Sequence, residues 1–159
     1  MHKIATSLWF DTQALEAAEL YVSLIPGSRI LEVARFGPGV PGLDGEVLVV
    51  DFELGHQRFN AFNGGPEFKL SEAASILVTV EDQAEVDRLW DALIAGGGEP
   101  SQCGWLKDRF GVSWQIVPEA LPRLLADPDK QKSQRVLEAM LQMRKIEVSE
   151  LERAYAAEG

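Results

Sequence analysis

The chain has 159 residues, of which 46% are hydrophobic and 25% are charged, a composition that is ordinary for a globular protein with a real core. The net charge of −10 argues against a nucleic-acid partner, because binding phosphates needs a basic stripe. The single cysteine excludes an intramolecular disulfide, and no apolar run approaches the ~18 residues of a membrane span. With no secretory leader pattern, we expect a cytoplasmic protein without a membrane partner.

The first part of the chain predicts a strand, a helix and three more strands. The first strand covers Lys3 to Phe10, and Asp11 and Thr12 offer N-cap oxygens to a helix that ends near Leu24. The buried stripe of this helix is predicted at Leu15, Ala18, Val22 and Ile25. The next strands are predicted at about 29–36, 46–54 and 57–63.

In the strand predicted at about 46–54, the residues of two faces alternate at period two. Its apolar face consists of Leu48, Val50, Phe52 and Leu54. Asp51 and Glu53 lie on the opposite face, and two carboxylates at i and i+2 point the same way. They either form a solvated sheet face or serve as ligands or a general base. In the following strand, Asn60 falls on the face opposite Phe59 and Ala61.

The second part of the chain opens with a strand from Ser75 to Val80. Asp82 is expected to cap the helix that follows, and glycines 96–98 end it. The buried stripe of this helix is predicted at Val86, Leu89, Trp90, Leu93 and Ile94.

The segment from Cys103 to Pro118 predicts a hairpin whose polar turn is Asp108 to Gly111. Alternation directs Val112, Trp114 and Ile116 toward the helices. The other side of the closing strand then carries Ser113, Gln115 and Val117.

The order of elements in the second part repeats that of the first. At an offset of 71 residues Asp11 falls on Asp82, and at an offset of 55 the closing strands match, with Asn60 on Gln115. Two amphipathic helices also match by chance, but the shared caps and terminating glycines favour duplication. We therefore predict a domain over 1–118, with modules at about 3–65 and 75–118.

Residues 119–159 form a helical, charged extension. An apolar stripe runs along its main helix at Val136, Leu137, Met140 and Leu141, and Ser149 is a candidate cap for a last helix. The extension either packs on its own domain or on a dimer mate, or it acts as a lid.

Several motifs carry a resemblance to a known family. They are residues 8–11 (LWFD), 59–65 (FNAFNGG), 104–108 (GWLKD), 111–115 (GVSWQ) and the tail 140–151. Together they resemble the PhnB-like branch of the glyoxalase/bleomycin-resistance/dioxygenase superfamily, often labelled 3-demethylubiquinone-9 3-methyltransferase. The resemblance implies an α+β fold of two tandem βαβββ modules forming an open, cleft-bearing barrel, and it implies a homodimer.

The resemblance also indicates where a metal would bind. Catalytic relatives use His or Gln on the first strand of each module and Glu on the last. Counted along this chain, those positions are Ile4, Asn60, Ser75 and Gln115. Because none is a carboxylate or an imidazole, we predict neither a metal nor another cofactor. A register shift of one residue would instead bring Asp51 and Glu53 into use.

These residues favour a hydrogen-bonding site for a small molecule, with Trp105 either a stacking surface or a core residue. The predicted ligand-binding residues are Asn60, Ser75, Gln115, Glu53, Asp51 and Trp105. The alternative is an enzyme, either a metal-dependent lyase, isomerase or dioxygenase, or the methyltransferase of the family label. Neither strand-to-helix joint carries the glycines of a dinucleotide-type donor site, so the residues do not support that label, and the catalytic residues are unknown.

Overall fold

The computed structural model describes residues 3–158, which form five helices and eight strands arranged in two four-stranded sheets. Two compact units result, Met1–Leu70 and Ser71–Gly159. Each unit contains one sheet and begins with the order strand, helix, three strands, and the second unit continues into three further helices. The predicted α+β class with two tandem modules is confirmed.

The first unit consists of β1 (Thr6–Phe10), α1 (Ala14–Leu24), β2 (Arg29–Arg35), β3 (Val47–Leu54) and β4 (Gln57–Asn63). Its strand order is β1-β4-β3-β2, with β1 parallel to β4 and the other pairs antiparallel. The predicted strands agree with these bounds to within a few residues. The predicted apolar face of β3 is also confirmed, since Val50 and Phe52 are fully buried.

The buried stripe of α1 differs from the predicted one. The residues that it buries are Ala14, Ala17, Ala18 and Tyr21. Leu15, Val22 and Ile25 are only half-buried. Three of the four buried residues are alanines, whose small side chains let the helix lie close to the sheet. The prediction was based mainly on large apolar side chains, and it therefore placed most of the stripe one residue too far toward the C-terminus.

The predicted cap of α1 is also wrong. Gln13 occupies the N-cap position without a side-chain hydrogen bond, so neither Asp11 nor Thr12 caps the helix. Instead, the backbone N–H of Ala14 donates to Oδ1 of Asn63 at 2.9 Å, and Nδ2 of Asn63 donates to the carbonyl of Val47 at 3.1 Å. One β4 side chain therefore ties the helix start to the sheet.

The second unit begins with β5 (Ser75–Val80), α2 (Gln83–Ile94), β6 (Glu99–Pro100), β7 (Trp105–Lys107) and β8 (Ser113–Pro118). Its strand order is β5-β8-β7-β6, with β5 parallel to β8. The predicted cap of α2 is confirmed, because Oδ1 of Asp82 accepts from the N–H of Glu85 at 3.0 Å. The two-residue strand β6 was not predicted, since it has too few residues to show alternation.

Asp108 organises the predicted hairpin turn between β7 and β8. Its Oδ1 accepts from the N–H groups of Phe110 at 2.9 Å and Val112 at 3.0 Å, and its Oδ2 accepts from Nε1 of Trp114 at 2.9 Å. Val112, Trp114 and Ile116 are buried, so the predicted inner face of β8 is confirmed.

The strand registers refine the internal repeat. Ser7 lies opposite Asn60 in the first sheet, and Leu77 lies opposite Gln115 in the second, so the equivalence of Asn60 and Gln115 agrees with the predicted match. The register nevertheless departs from the predicted offset of 71 residues. The separation of equivalent residues is one residue smaller in the first strand of each module and one residue larger in the helix. Ser7 corresponds to Leu77, and Ala14 corresponds to Val86.

The C-terminal extension forms α3 (Ala120–Leu125), α4 (Lys130–Leu141) and α5 (Val148–Ala156). These helices share a small core of Leu121, Leu124, Val136, Ile146 and Leu151. Two predictions for this segment are wrong: Leu141 is 51% exposed, and Ser149 lies inside α5, whose N-cap is Glu147. None of the helices within residues 3–158 is long and apolar enough to cross a membrane.

The extension is joined to the rest of the second unit by hydrogen bonds. Gln83 of α2 donates from Nε2 to the carbonyl of Ile146 at 3.0 Å and accepts from the N–H of Val148 at 2.7 Å. The N–H groups of Cys103 and Gly104 donate to the carbonyls of residues 143 and 144. The extension thus packs on its own unit, which agrees with the predicted alternative of packing on its own domain.

Candidate functional site

A row of polar side chains crosses the face of the first sheet that lies opposite α1. Register pairing places Glu32 beside Asp51, Asp51 beside Asn60, and Asn60 beside Ser7. We call these four residues the first polar row. Within it, Oγ of Ser7 donates to Oδ1 of Asn60 at 2.5 Å. The structure therefore brings Asp51 and Asn60 of the predicted site together.

Ile4, the position expected for a first-strand ligand, lies outside the sheet. Because β1 begins at Thr6, Ile4 has no strand partner and is 87% exposed. The side chain opposite Asn60 belongs to Ser7 instead. The sequence patterns did not indicate Ser7 as part of the site. Its role as the partner of Asn60 depends on the pairing of two strands that are distant in the chain.

Glu53 belongs to a neighbouring, charged row of the same face. Its Oε2 lies 3.3 Å from Nε of Arg29, and its register partner on β4 is Arg58. The two acidic residues of β3 therefore differ in their surroundings. Asp51 lies between Glu32, a second carboxylate, and the amide of Asn60, whereas Glu53 lies between two guanidinium-bearing residues.

An aromatic cluster lies beside the first polar row. Trp9 contacts Phe62 and Phe68 edge to face, with ring centroids 5.2 Å and 5.0 Å apart, and Nε1 of Trp9 donates to the carbonyl of Gly65 at 2.9 Å. A Cβ at Gly64 would overlap the Trp9 indole, which explains a glycine there. The motif of residues 59–65 thus combines several roles. It supplies residues to the buried core, one residue to the first polar row, one ring to the aromatic cluster, and a glycine that lies against the Trp9 indole.

The second sheet carries the equivalent arrangement on the face opposite α2. Nε2 of Gln115 donates to Oγ of Ser75 at 2.9 Å, and Trp105 is the register partner of Gln115. The structure therefore brings Ser75, Gln115 and Trp105 together. Trp105 is half-buried on this face, whereas Trp114 is the fully buried tryptophan of β8.

Next to these residues lies an ion pair that the sequence did not indicate. Lys107 of β7 contacts the Glu72 carboxylate. The hydrogen bond between them lowers the pKa of Glu72 and raises the pKa of Lys107. The neighbouring Ser113 hydroxyl is buried, has no hydrogen-bond partner in the described part of the chain, and lines a small cavity of about 110 Å³.

A larger cavity, of about 530 Å³, lies where β1 and β4 of the first unit end. We call it the first-sheet cavity. Its lining residues come from the ends of these strands, from β3 and from the loop that precedes β3; they include Asp11, Phe36, Leu43, Glu46, Val47 and Phe62. None of the predicted site residues lines it. Its only sequence signal was the glycine- and proline-rich loop of residues 37–42, which no pattern connected to a ligand.

The side chains at the positions expected to hold a metal do not fit the divalent ion of catalytic relatives. Asn60, Ser75 and Gln115 offer neutral amide and hydroxyl oxygens, and so does Ser7. Within residues 3–158, no three His, Cys, Asp or Glu side chains are grouped so that they can share a metal ion. Hard and borderline ions need charged oxygens or imidazole nitrogens to compete with water.

Comparisons with known proteins agree with the observed fold. The family model described as 3-demethylubiquinone-9 3-methyltransferase matches residues 2–117. A PhnB protein of known structure from Bacillus cereus, which carries the same description, is 32% identical at a TM-score of 0.67, and the match covers 74% of this chain and 99% of that one. A structure from Pseudomonas aeruginosa is 24% identical at a TM-score of 0.61, covering 75% and 98%.

A glyoxalase-related enzyme from Fulvimarina pelagi matches at 14% identity and a TM-score of 0.48, covering 76% of this chain and 91% of that one. No curated protein matches the chain. The family model spans most of the sequence and the Bacillus cereus protein is matched over nearly its whole length. The chain therefore belongs to the family described as 3-demethylubiquinone-9 3-methyltransferase, the description that the PhnB protein of Bacillus cereus also carries.

Proposed function

We propose that each polar sheet face of this chain binds a small organic molecule and needs no metal ion to do so. One observation carries the proposal. The equivalent positions Asn60 and Gln115, at which catalytic relatives have a carboxylate, hold neutral amides that are each bonded to a serine. An amide both donates and accepts hydrogen bonds, which suits an uncharged polar group of an organic ligand better than a cation such as Zn²⁺.

Each serine–amide pair leaves part of its hydrogen-bonding capacity for a ligand. In the first sheet the bond from Ser7 occupies Oδ1 of Asn60, and Nδ2 of Asn60 has no partner in the described residues. In the second sheet the bond to Ser75 occupies Nε2 of Gln115, and Oε1 has no partner there. One amide therefore offers a donor and the other an acceptor.

Aromatic side chains lie next to both pairs. Trp105 is the register partner of Gln115. Trp9 and Phe62 are register partners too, and Phe62 lies two residues beyond Asn60 on β4, on the same face of the sheet. A binding site with a few directed polar groups and flat apolar surfaces is typical for a small molecule that contains a ring. We therefore propose Asn60, Ser75, Gln115, Asp51 and Trp105 as ligand-contacting residues, with Glu53 at the margin, held by Arg29.

The second candidate function is an enzyme of the superfamily. Asp51 favours it, because a carboxylate beside the Asn60 amide is placed to act as a general base on a bound ligand. Asp51→Asn separates the two functions: an enzyme turns over its substrate and loses this turnover in the variant, whereas a binding protein shows no turnover with or without the substitution. The methyltransferase of the family description is tested by including S-adenosylmethionine among the ligands.

We further propose that the protein is a cytoplasmic homodimer, which is what the resemblance to PhnB-like proteins implies. Light scattering coupled to size-exclusion chromatography measures the molar mass directly. A mass of one chain at micromolar concentration contradicts the dimer.

A melting screen of small molecules in the presence of EDTA tests the proposed function. A true ligand raises the melting temperature by several degrees without metal, because it binds only the folded state. Replacing the amide of the face that holds the ligand, by Asn60→Ala in the first sheet or Gln115→Ala in the second, should remove most of this shift. Gln57→Ala, at an exposed amide at the start of β4, should not. A ligand that acts only with added metal, or equally on all three variants, contradicts the proposal.

A further inference from the structure

The first-sheet cavity combines a suitable size with largely apolar walls. Its volume of about 530 Å³ lies within the range typical of small-molecule sites. Apolar walls come from Phe36, Leu43, Val47, Leu48, Phe62 and Pro66. Such walls stabilise the apolar body of a ligand by removing its surface from water.

The charged groups of the cavity are all of one sign. Asp11 and Glu46 line it, and no Lys, Arg or His is among the lining residues. Neither carboxylate takes part in a hydrogen bond or an ion pair of its side chain within residues 3–158. The guanidinium of Arg35 lies outside the lining and donates to the carbonyl of Gly45 at 3.0 Å. The cavity therefore presents a negative potential that no neighbouring cation of the lining offsets.

The frame of the cavity is fixed by backbone hydrogen bonds. On one side the N–H of Phe36 donates to the carbonyl of Glu46 at 2.8 Å, and the N–H of Gly45 donates to the carbonyl of Phe36 at 2.9 Å. On the other side the N–H of Gly64 donates to the carbonyl of Phe10 at 2.9 Å. The amide of Asn63 is occupied at both ends by Ala14 and Val47. A ligand thus meets a preformed site and does not displace these contacts.

From these observations we infer a second binding site, in the first-sheet cavity, for a small organic cation with an ammonium head and an apolar body. Asp11 and Glu46 attract the head, and the rings of Phe36 and Phe62 offer faces that favour a cation as well as an apolar group. Neither the serine–amide pairs nor Asp51 contribute to it. The inference goes beyond the proposed function and concerns a different set of polar residues, although the Phe62 ring lies near both sites.

The test compares three probes of one shape and different charge. Phenethylamine is a cation at pH 7, 2-phenylethanol is neutral and 3-phenylpropionate is an anion. NMR titrations at low ionic strength should show phenethylamine binding about threefold more tightly than the alcohol and about tenfold more tightly than the acid, with shifts at Leu43 and Phe62. Because both carboxylates are exposed, the preference should shrink in high salt.

Three variants assign the preference to the cavity. Asp11→Asn and Glu46→Gln should each weaken phenethylamine binding about threefold and leave the alcohol unchanged. Glu19→Gln, which changes the net charge equally on the exposed side of α1, should have no effect. Leu43→Arg places a cation at the cavity mouth, on a side chain that is 39% exposed and so tolerates substitution, and should abolish phenethylamine binding.

Three results overturn the inference: equal affinity for all probes or none at millimolar concentration, an effect of Glu19→Gln as large as those of the cavity variants, or retained binding in Leu43→Arg. Asn60→Ala and Gln115→Ala should bind phenethylamine as the unmodified chain does. Failure of the proposed function and failure of this inference are therefore distinguishable.

Discussion

Asp108 shows how a single buried carboxylate determines a local structure that contributes to the candidate site. It is 2% exposed and accepts hydrogen bonds from two backbone N–H groups and from the Trp114 indole. These bonds fix the turn between β7 and β8, which carry Trp105 and Gln115. The position of these two proposed ligand-contacting residues thus depends on a buried side chain outside the proposed contact surface.

We expect Asp108→Asn to lower the free energy of unfolding by about 2 kcal/mol. The amide keeps one acceptor oxygen but turns an NH₂ group toward another donor, so that buried donors lose their partner. Urea denaturation followed by tryptophan fluorescence measures the change. Asp44→Asn, on an exposed loop, serves as the control and should lie within about 0.5 kcal/mol of the unmodified chain. Equal stability of the two variants contradicts this role.

The residue scale also shows where sequence reasoning reached its limit. Alternation correctly assigned the faces of Asn60 and Gln115, because it depends only on neighbours within a strand. It did not indicate Ser7 as the partner of Asn60 or Asn63 as the cap of α1. Both contacts cross between segments about fifty residues apart, and their geometry follows from the parallel pairing of β1 with β4.

At the scale of elements, the two helices differ in how well they were predicted. The stripe of α2 consists of large apolar residues, and the prediction was confirmed at Val86, Leu89, Trp90 and Leu93. The stripe of α1 is mainly alanine, so hydrophobicity gave little contrast between its faces. A helix that packs through small residues is therefore hard to orient from sequence, although its existence and end are predictable.

The attachment of the C-terminal extension to α2 leads to a prediction at this scale. Gln83 supplies one donor and one acceptor to the segment before α5, so Gln83→Ala leaves two half-buried backbone groups without their partner. We expect a loss of about 1–3 kcal/mol and faster amide hydrogen exchange in α5. The matched control is Gln13→Ala, because Gln13 precedes α1 and makes no capping bond. Unchanged exchange in α5 excludes the proposed attachment.

The ion pair of Asp87 and Lys145 adds a pH dependence to the same attachment. Nζ of Lys145 lies 2.8 Å from Oδ1 of Asp87. The hydrogen bond from Lys145, together with one from Gln83, lowers the pKa of Asp87. The hydrogen bond to Asp87 raises the pKa of Lys145.

Because the pKa of Asp87 is lowered on folding, its ion pair contributes stability at pH values above 3.8, its pKa in the unfolded chain. This contribution is lost as the pH falls through the pKa of Asp87 in the folded protein. A raised lysine pKa contributes stability below 10.5, and this contribution is lost as the pH rises through the folded pKa. We therefore expect Asp87→Asn to cost up to about 1 kcal/mol at pH 7, since the pair is half-exposed. Denaturation at pH 7 and pH 3 should show a smaller cost of the substitution in acid; a cost of the same size at both pH values contradicts an electrostatic origin.

For the whole molecule, the tandem modules were predicted from the repeated order of strand, helix and strands, with its shared glycine stops. The α+β class of two βαβββ modules was implied by the resemblance to PhnB-like proteins. The first-sheet cavity and the small cavity at Ser113 were not predictable, because each is formed by residues from strand ends and loops that no periodicity connects.

The central claim is that this member of the family binds a small molecule without a metal ion, and metal binding tests it most directly. The measurement is the metal content of untagged protein, followed by melting with added nickel, zinc, manganese and iron. Asn60→Asp, which adds a carboxylate beside Asp51, serves as the control in which a metal shift is expected. The account predicts no stoichiometric metal and no change in melting temperature for the unmodified chain. Stoichiometric metal, or a rise of several degrees with one ion, contradicts the account and makes Asp51 the first residue to examine as a ligand.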